Sequence, residues 1–213
     1  TTDTFTVVLN AQPASNVVLA ITSGDTGEAT VTSALTFTSG NWNSAQTVTV
    51  TGVDDNLVDG TITSTITVAV NDGSSDNNFD PVVDQTVSVT TTDNDVAGFT
   101  IAQSGGSTSV AETGTTDTFT VVLNAGPTSD VVLSITSGDT GEATVTSALT
   151  FTSANWNSAQ TVTVTGVDDN LIDGTITSTI TVAVNDGSSN DSFDGVADQT
   201  VSVTTTDNDV AGF

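Results

Sequence analysis

Ile176-Thr177-Ser178-Thr179-Ile180-Thr181-Val182-Ala183-Val184 alternates apolar with small or hydroxyl side chains, and Ile176, Ile180, Val182 and Val184 fall on one face. A period of two marks a strand with one buried side. The pattern continues outward from this stretch. Phe119, Val121 and Leu123 share a face, as do Val131, Leu133 and Ile135; Leu149 with Phe151, Val162 with Val164, and Val201 with Val203 extend the set. Thr supplies about one residue in five and fills many of the opposite positions, where its β-branched hydroxyl side chain suits a solvated strand face. No stretch carries the 3.6-residue period of an amphipathic helix.

Turn signals such as Ser137-Gly138-Asp139 and Asn185-Asp186-Gly187 separate the apolar runs. Seven or eight short strands in roughly 110 residues predict an all-β fold, an immunoglobulin-like antiparallel β-sandwich. The chain holds nearly two such modules in tandem. Shifted by 114 residues, Thr1 to Phe99 aligns with Thr115 to Phe213 without a gap, and the copies differ at 11 of 99 positions. Several differences are mild, among them Val58 against Ile172, Ala20 against Ser134 and Asn16 against Asp130. A period this long is a whole domain rather than a solenoid turn. A module opens at Val96-Ala97-Gly98-Phe99-Thr100-Ile101 and closes at Thr206-Asp207-Asn208-Asp209. The expected division is 1–95, a sandwich lacking its first strand; 96–209, a complete sandwich; and 210–213, the opening of a further module. That register predicts a parent protein that continues in both directions.

Charge narrows the function. The chain has 26 Asp and Glu and no Lys, Arg or His, for a formal net charge of −26. No side-chain salt bridge can form, so each carboxylate is expected to face water or a cation. Two carboxylates about 4 Å apart repel by about 4 kcal/mol at an effective dielectric near 20, so a fold that clusters them calls for a counter-charge. Nucleic acid and anionic membrane surfaces are disfavoured as partners, because both want a basic face. Disorder is disfavoured by the regular apolar alternation and a mean hydropathy of +0.09. No run reaches the roughly 18 apolar residues of a membrane helix, and no Cys is available for a disulfide staple.

Catalysis is the weakest function class. With His, Cys, Lys, Arg and Tyr all absent, the usual bases, thiol nucleophiles and cationic oxyanion stabilisers are missing. Paired carboxylates alone could serve glycoside hydrolysis, but that needs a cleft that keeps one of them protonated, and short acidic loops on a sandwich rim do not suggest one. Trp156, in Asn155-Trp156-Asn157, together with Trp42, offers a carbohydrate-stacking reading; a single Trp near a strand end is more often a lid on the core.

The acids concentrate at strand ends: Glu112, Asp139 with Glu142, Asp168 and Asp169 with Asp173, and Asp207 with Asp209. Alternate loops of a sandwich gather at one end, so several of these carboxylates can converge. Calcium takes six to eight oxygen ligands in irregular geometry and tolerates ligands from distant loops; zinc is a poor match without His or Cys. An isolated Asp reads as a turn residue, whereas Val167-Asp168-Asp169-Asn170 combined with Asp207-Asn208-Asp209 points to metal. The acidic stretch Asn185 to Asp194 lacks the closing Glu of an EF-hand and reads as a solvated loop.

Ser109-Val110-Ala111-Glu112-Thr113-Gly114, Gly166-Val167-Asp168-Asp169 and the terminal Asp207-Asn208-Asp209 together resemble the Calx-beta family, whose members include the calcium-binding domains of sodium/calcium exchangers and repeats of large bacterial surface proteins. The resemblance covers residues 96 to 209 and, without the first strand, 1 to 95. It implies calcium at one end of the sandwich, held by Glu112, Asp139, Asp168, Asp169, Asp173, Asp207 and Asp209, with Asp25, Asp54, Asp55, Asp59, Asp93 and Asp95 as the first module's set. The chain departs from the family pattern at Asn208, between the two closing acids, which lowers the ligand charge, and at Asp173, where exchangers often carry Glu.

Since Asp209 runs directly into Val210 with no Gly/Ser tether, calcium at the acidic end is expected to stiffen the joint between neighbouring modules. The expected role is a non-enzymatic structural extender or stalk of an extracellular or cell-surface protein such as an adhesin. The alternatives are a self-assembling filament, sheath or surface-layer subunit, with identical chains or other surface proteins as partners, and a carbohydrate-binding module. Freedom from Lys and Arg also leaves trypsin no cleavage site.

Overall fold

The computed structural model describes all residues, Thr1–Phe213, and separates them into two compact units. Unit 1 is Thr1–Asp55 with Gly60–Asn94, and unit 2 is Asp95–Phe213 with the short segment Asn56–Asp59. Both are all-β sandwiches of immunoglobulin-like type.

Unit 1 contains β1 (Thr2–Val7), β2 (Val17–Ser23), β3 (Ala29–Val31), β4 (Ala34–Phe37), β5 (Gln46–Gly52), β6 (Ile62–Val70) and β7 (Gln85–Thr91). They form a three-stranded sheet ordered β1-β5-β3 and a four-stranded sheet ordered β4-β2-β6-β7. Unit 2 contains β8 (Phe99–Gln103), β9 (Thr108–Ala111), β10 (Thr116–Leu123), β11 (Val131–Ser137), β12 (Ala143–Val145), β13 (Ala148–Phe151), β14 (Gln160–Gly166), β15 (Ile176–Val184) and β16 (Gln199–Thr206). Its sheets are ordered β12-β14-β10-β8 and β13-β11-β15-β16-β9. The predicted faces are the buried ones: Phe119, Val121, Val131, Leu133, Phe151, Val162, Val164, Ile180, Val182 and Val203 are all at 0 % exposure, and inward rows from both sheets make one core.

Two features correct the sequence expectation. Unit 2 has nine strands, not seven or eight, because the opening segment of the module is two strands, one in each sheet. β8 lies antiparallel to β10. The chain then crosses over at Gly105 and Gly106, whose φ values of 61° and 84° suit only residues without a Cβ, and β9 joins the other sheet as a parallel neighbour of β16. Asp117 pins this crossover: its carboxylate accepts from Ser104 Oγ at 2.5 Å and from the Ser109 N–H at 2.9 Å. Unit 1 accordingly lacks the counterparts of two strands rather than one.

The loop from Asn185 to Asp194 is the second correction, since it is not simply solvated. Two 3-10 turns carry Phe193 inward to 0 % exposure, where it joins the core. Nearby, Asn190 donates from Nδ2 to Thr128 Oγ1 (2.7 Å) and Ser129 Oγ (3.1 Å). In the first copy Asp76 accepts instead, from the N–H groups of Ala14 (2.7 Å) and Ser15 (3.1 Å). The exchange of Asp76 for Asn190 thus accompanies that of Ala14 for Thr128, each copy keeping donors matched to acceptors. Trp156 packs against the unit 2 core, the lid position expected for it.

Phe119 is fully buried while its counterpart Phe5 is only half-buried. Phe119→Ala is therefore expected to cost about 3–5 kcal/mol and Phe5→Ala less than half as much. Guanidinium unfolding checks this, with Trp156 reporting on the first substitution and Trp42 on the second.

Candidate functional site

The acidic end of unit 2 is assembled by the ends of four strands. β9 ends in Ala111, so Glu112 leaves the sheet there, and its N–H is held by the Thr206 carbonyl at 3.1 Å. A Cβ at residue 166 would run into the Ala111 carbonyl; glycine there lets the end of β9 lie against the end of β14 and brings Glu112 beside the Asp168-Asp169 loop. Glu142 stands just before β12, its carbonyl accepting the Val167 N–H at 2.9 Å. β16 then delivers Asp207-Asn208-Asp209.

These placements converge two carboxylate triads on one shared side chain. Oxygens of Glu112, Asp169 and Asp209 lie within 4.8 Å of one another, as do oxygens of Glu112, Glu142 and Asp173. Two ligands each about 2.4 Å from one calcium ion can be at most about 4.8 Å apart, so both spacings fit a common cation. Burial makes the arrangement costly without one. Glu112 is 1 % exposed and Glu142 6 %, and Glu112 Oε1, Glu142 Oε2 and Asp209 Oδ2 are buried with no hydrogen-bond partner. Buried carboxylate oxygens ordinarily find donors, and in a chain without Lys, Arg or His no side-chain cation can supply the deficit. The donor set, all carboxylate oxygen, fits a hard cation such as calcium.

Titration follows from this crowding. Burial, then the charges of Asp207, Asp169 and Asp173, pushes the Glu112 carboxyl up, against one N–H bond from Asn208 at 3.2 Å. Burial, then Asp173, Glu112, Asp139 and Asp169, raises Glu142; burial, then Asp207, Asp168, Asp169 and Asp173, raises Asp209. Asp207 moves the other way, because the N–H groups of Asp209 (2.6 Å) and Gly174 (2.9 Å) both donate to it.

Of the residues singled out in the sequence for unit 2, Glu112, Asp169, Asp173 and Asp209 come together. Asp168 is exposed, and its Oδ1 accepts from Asn208 Nδ2 at 2.8 Å; Asp207 is held by the two N–H groups just described. Asp139 is exposed and caps its own turn through the Gly141 N–H at 3.0 Å; it acts on the cluster only through its charge. Glu142, absent from the predicted ligand set, belongs to the cluster. Its signal was present in the spacing: it follows the Asp139-Thr140-Gly141 turn and directly precedes a strand, at the same end as Asp168 and Asp169.

In the first copy Asp25 likewise caps a turn through the Gly27 N–H (3.0 Å), and Asp93 accepts from the Gly60 N–H (2.9 Å). Asp54 and Asp55 are exposed, and Asp59 and Asp95 are half-buried. Glu28, the counterpart of Glu142, is half-buried too.

No protein-family model matches the chain, and no curated protein matches it. Among solved structures, domains 4 and 5 of the S-layer protein SbsC are 23 % identical, with a TM-score of 0.40 over 88 % of this chain and 70 % of that one. A longer SbsC fragment, domains 1–6, is also 23 % identical, with a TM-score of 0.42 over 89 % of this chain and 20 % of that one. CBD12 from CALX1.2 is 13 % identical, with a TM-score of 0.33 over 85 % of this chain and 73 % of that one. This chain thus spans a fifth of the longer SbsC fragment, and similarity of this size carries nothing about its activity. No helix is long and apolar enough to cross a membrane.

The raised carboxyls give a signed pH dependence for the metal-free protein. Glu112, Glu142 and Asp209 favour their neutral forms in the fold more than in the unfolded chain. They oppose folding fully above their folded pKa values, and the opposition is gone below the ordinary carboxyl range. Asp207, Asp117 and Asp76 are lowered; their stabilisation is present above the ordinary range and lost as pH falls through their folded values. The melting temperature in chelator is expected to rise as pH falls from neutrality toward the ordinary carboxyl range and to fall again once pH drops below that range. Scanning calorimetry across both ranges checks it, and a steady fall from neutrality would contradict it.

Proposed function

We propose that this chain is a non-enzymatic structural repeat of an extracellular or cell-surface protein, whose acidic end binds calcium and whose tandem modules act as an extender. One observation carries the calcium reading: two carboxylate triads share buried Glu112, with three buried oxygens lacking any donor, in a chain with no cationic side chain. Glu112, Glu142, Asp169, Asp173 and Asp209 would hold the ion or ions, and calcium would supply the counter-charge that lets these loops pack. Glu112, common to both triads, would bridge two ions if both sites fill. Millimolar calcium outside cells is at or above the dissociation constants typical of extracellular modules, about 0.1–1 mM, so such a site would be at least about half filled.

The extender role rests on sequence continuity. Each copy closes on Asp-Asn-Asp and runs without a tether into Val-Ala-Gly-Phe, at 93–99 and again at 207–213. An ion at that closing motif would restrict the swing of the next module. The absence of His, Cys, Lys, Arg and Tyr supports a role without chemistry.

Calcium is expected to raise the melting temperature in a concentration-dependent way that excess chelator reverses, since a ligand of the native state stabilises by mass action. Glu112→Gln should raise the melting temperature in chelator, by removing a repelled buried charge, and weaken calcium at least tenfold by calorimetric titration. Asp139→Asn should leave both nearly unchanged. Equal melting temperatures with calcium and with chelator would return the acidic loops to an ordinary turn role.

A chain of several repeats is expected to be more extended and stiffer in calcium than in chelator, as measured by small-angle scattering. Equal stiffness in the two conditions would remove the extender reading while leaving calcium binding intact.

A further inference from the structure

Asp207 lies at the acidic end of unit 2 but is engaged differently from its neighbours. Its Oδ1 accepts the Asp209 N–H at 2.6 Å and its Oδ2 the Gly174 N–H at 2.9 Å. The two donors belong to different triads. Asp209 is a member of the triad with Glu112 and Asp169, and Gly174 directly follows Asp173, of the triad with Glu112 and Glu142. One carboxylate therefore ties the closing segment to the turn before β15, and with it one carboxylate-bearing residue of each triad to the other. Gly174 can present its N–H because it lies at φ 77°, a left-handed conformation that glycine adopts without penalty. A second tie joins the same two segments: Asn208 donates from Nδ2 to Asp168 Oδ1 at 2.8 Å. Unit 1 repeats the arrangement, with Asp93 Oδ2 accepting the Gly60 N–H at 2.9 Å and Gly60 at φ 80°. Glu112 Oε1, Glu142 Oε2 and Asp209 Oδ2, by contrast, are buried without a donor, and Glu112 and Glu142 are 1 % and 6 % exposed.

We propose that Asp207 is a positioning residue rather than a ligand: it clamps the two triads at a spacing that suits calcium and resists the contraction that magnesium requires. This inference rests on the calcium reading and adds to it the selectivity of the site. Calcium holds its oxygens at about 2.3–2.6 Å, so ligand oxygens can stand up to about 5 Å apart; magnesium, at about 2.0–2.1 Å, draws them to about 4.2 Å or less and demands a near-octahedral set. The oxygens of each triad lie within 4.8 Å of one another. To close on the smaller ion, the Asp173 turn and the closing segment must draw in toward Glu112. Asp207 fastens those two segments to each other, so neither draws in alone. Both of its bonds are charge-assisted, the stronger kind, and a rigid frame of oxygens discriminates by ion size better than a pliant one. The ion is gripped by residues whose own oxygens lack donors, while Asp207 acts through their backbone.

The test compares the whole 213-residue chain with Asp207→Asn and Asp207→Ala, each titrated calorimetrically with calcium and separately with magnesium, and each melted in chelator. Expected is a preference for calcium in the unaltered chain. Asp207→Ala should weaken calcium at least tenfold and magnesium threefold or less, so that the ratio of the two affinities narrows at least threefold. Asp207→Asn, which keeps one acceptor oxygen, should fall between, and it carries the comparison if the alanine variant does not fold. Both variants should melt lower in chelator, the opposite sign to Glu112→Gln, because Asp207 loses N–H bonds where Glu112 loses a repelled charge. Amide exchange at Gly174 and Asp209 should quicken in the same condition. A ligand role predicts instead that the melting temperature in chelator rises, and a merely structural role leaves the calcium-to-magnesium ratio where it was; either result, in a chain that binds calcium, overturns the proposal alone. No calcium binding by the unaltered chain would overturn the calcium reading and this inference with it.

Discussion

Carboxylates without cationic side chains constrain every part of this molecule. A carboxylate in an ordinary domain can turn to Lys or Arg; here 26 acids have none. Backbone N–H groups and hydroxyls do that work wherever they can reach. Asp117 takes the Ser104 hydroxyl and the Ser109 N–H, Asp76 the N–H groups of Ala14 and Ser15, and Asp207 those of Gly174 and Asp209. Each is a charge-assisted bond, the stronger kind, and each fixes a turn or crossover as it stabilises the charge. Glu112, Glu142 and Asp209 are where this supply of donors ends. The same electrostatics that organises the loops therefore concentrates the unmet demand at one end of the sandwich.

The two copies share their inward rows but not their burial. They differ at 11 of 99 positions, and at the core rows of β1 and β10 they are identical, yet Phe5 and Phe119 differ in burial. Side-chain identity does not explain the difference; the covering strand does. Apolar residues on an inward row are driven to bury by about 25 cal/mol per Å², but only a neighbour can complete the burial, and β8 and β9 are that neighbour in unit 2. The same two strands bring Glu112 to the acidic end, so one segment of chain both closes the core and supplies the shared carboxylate.

Much of the fold was legible in the residues. Alternation named the inward rows correctly in unit 2, from Phe119 to Val203, because the period of two is a local property of a pleated chain. The crossover at Gly105 and Gly106 was not legible. Splitting the opening segment between sheets depends on Asp117, a residue more than ten positions downstream, and on a parallel partner, β16, almost a hundred residues away. The inward turn of Phe193 was missed for a similar reason: the polar residues around it report a loop, and only the shape of the core says that one aromatic side chain is needed there. At the acidic end, the clustering of Asp and Glu near strand ends was plain, whereas the part played by Glu142 and the local capping role of Asp139 depend on which way each side chain faces.

By itself, the sequence determined the class of fold, the repeat and its register, and the absence of any internal counter-charge, since these follow from composition and from periods of 2 and 114 residues. Tertiary structure alone decided which carboxylates share a site and which strands complete the core of unit 2. Both depend on distances between residues far apart in the chain, set by sheet pairing and by the crossover of β8 into β9, and no local pattern encodes them.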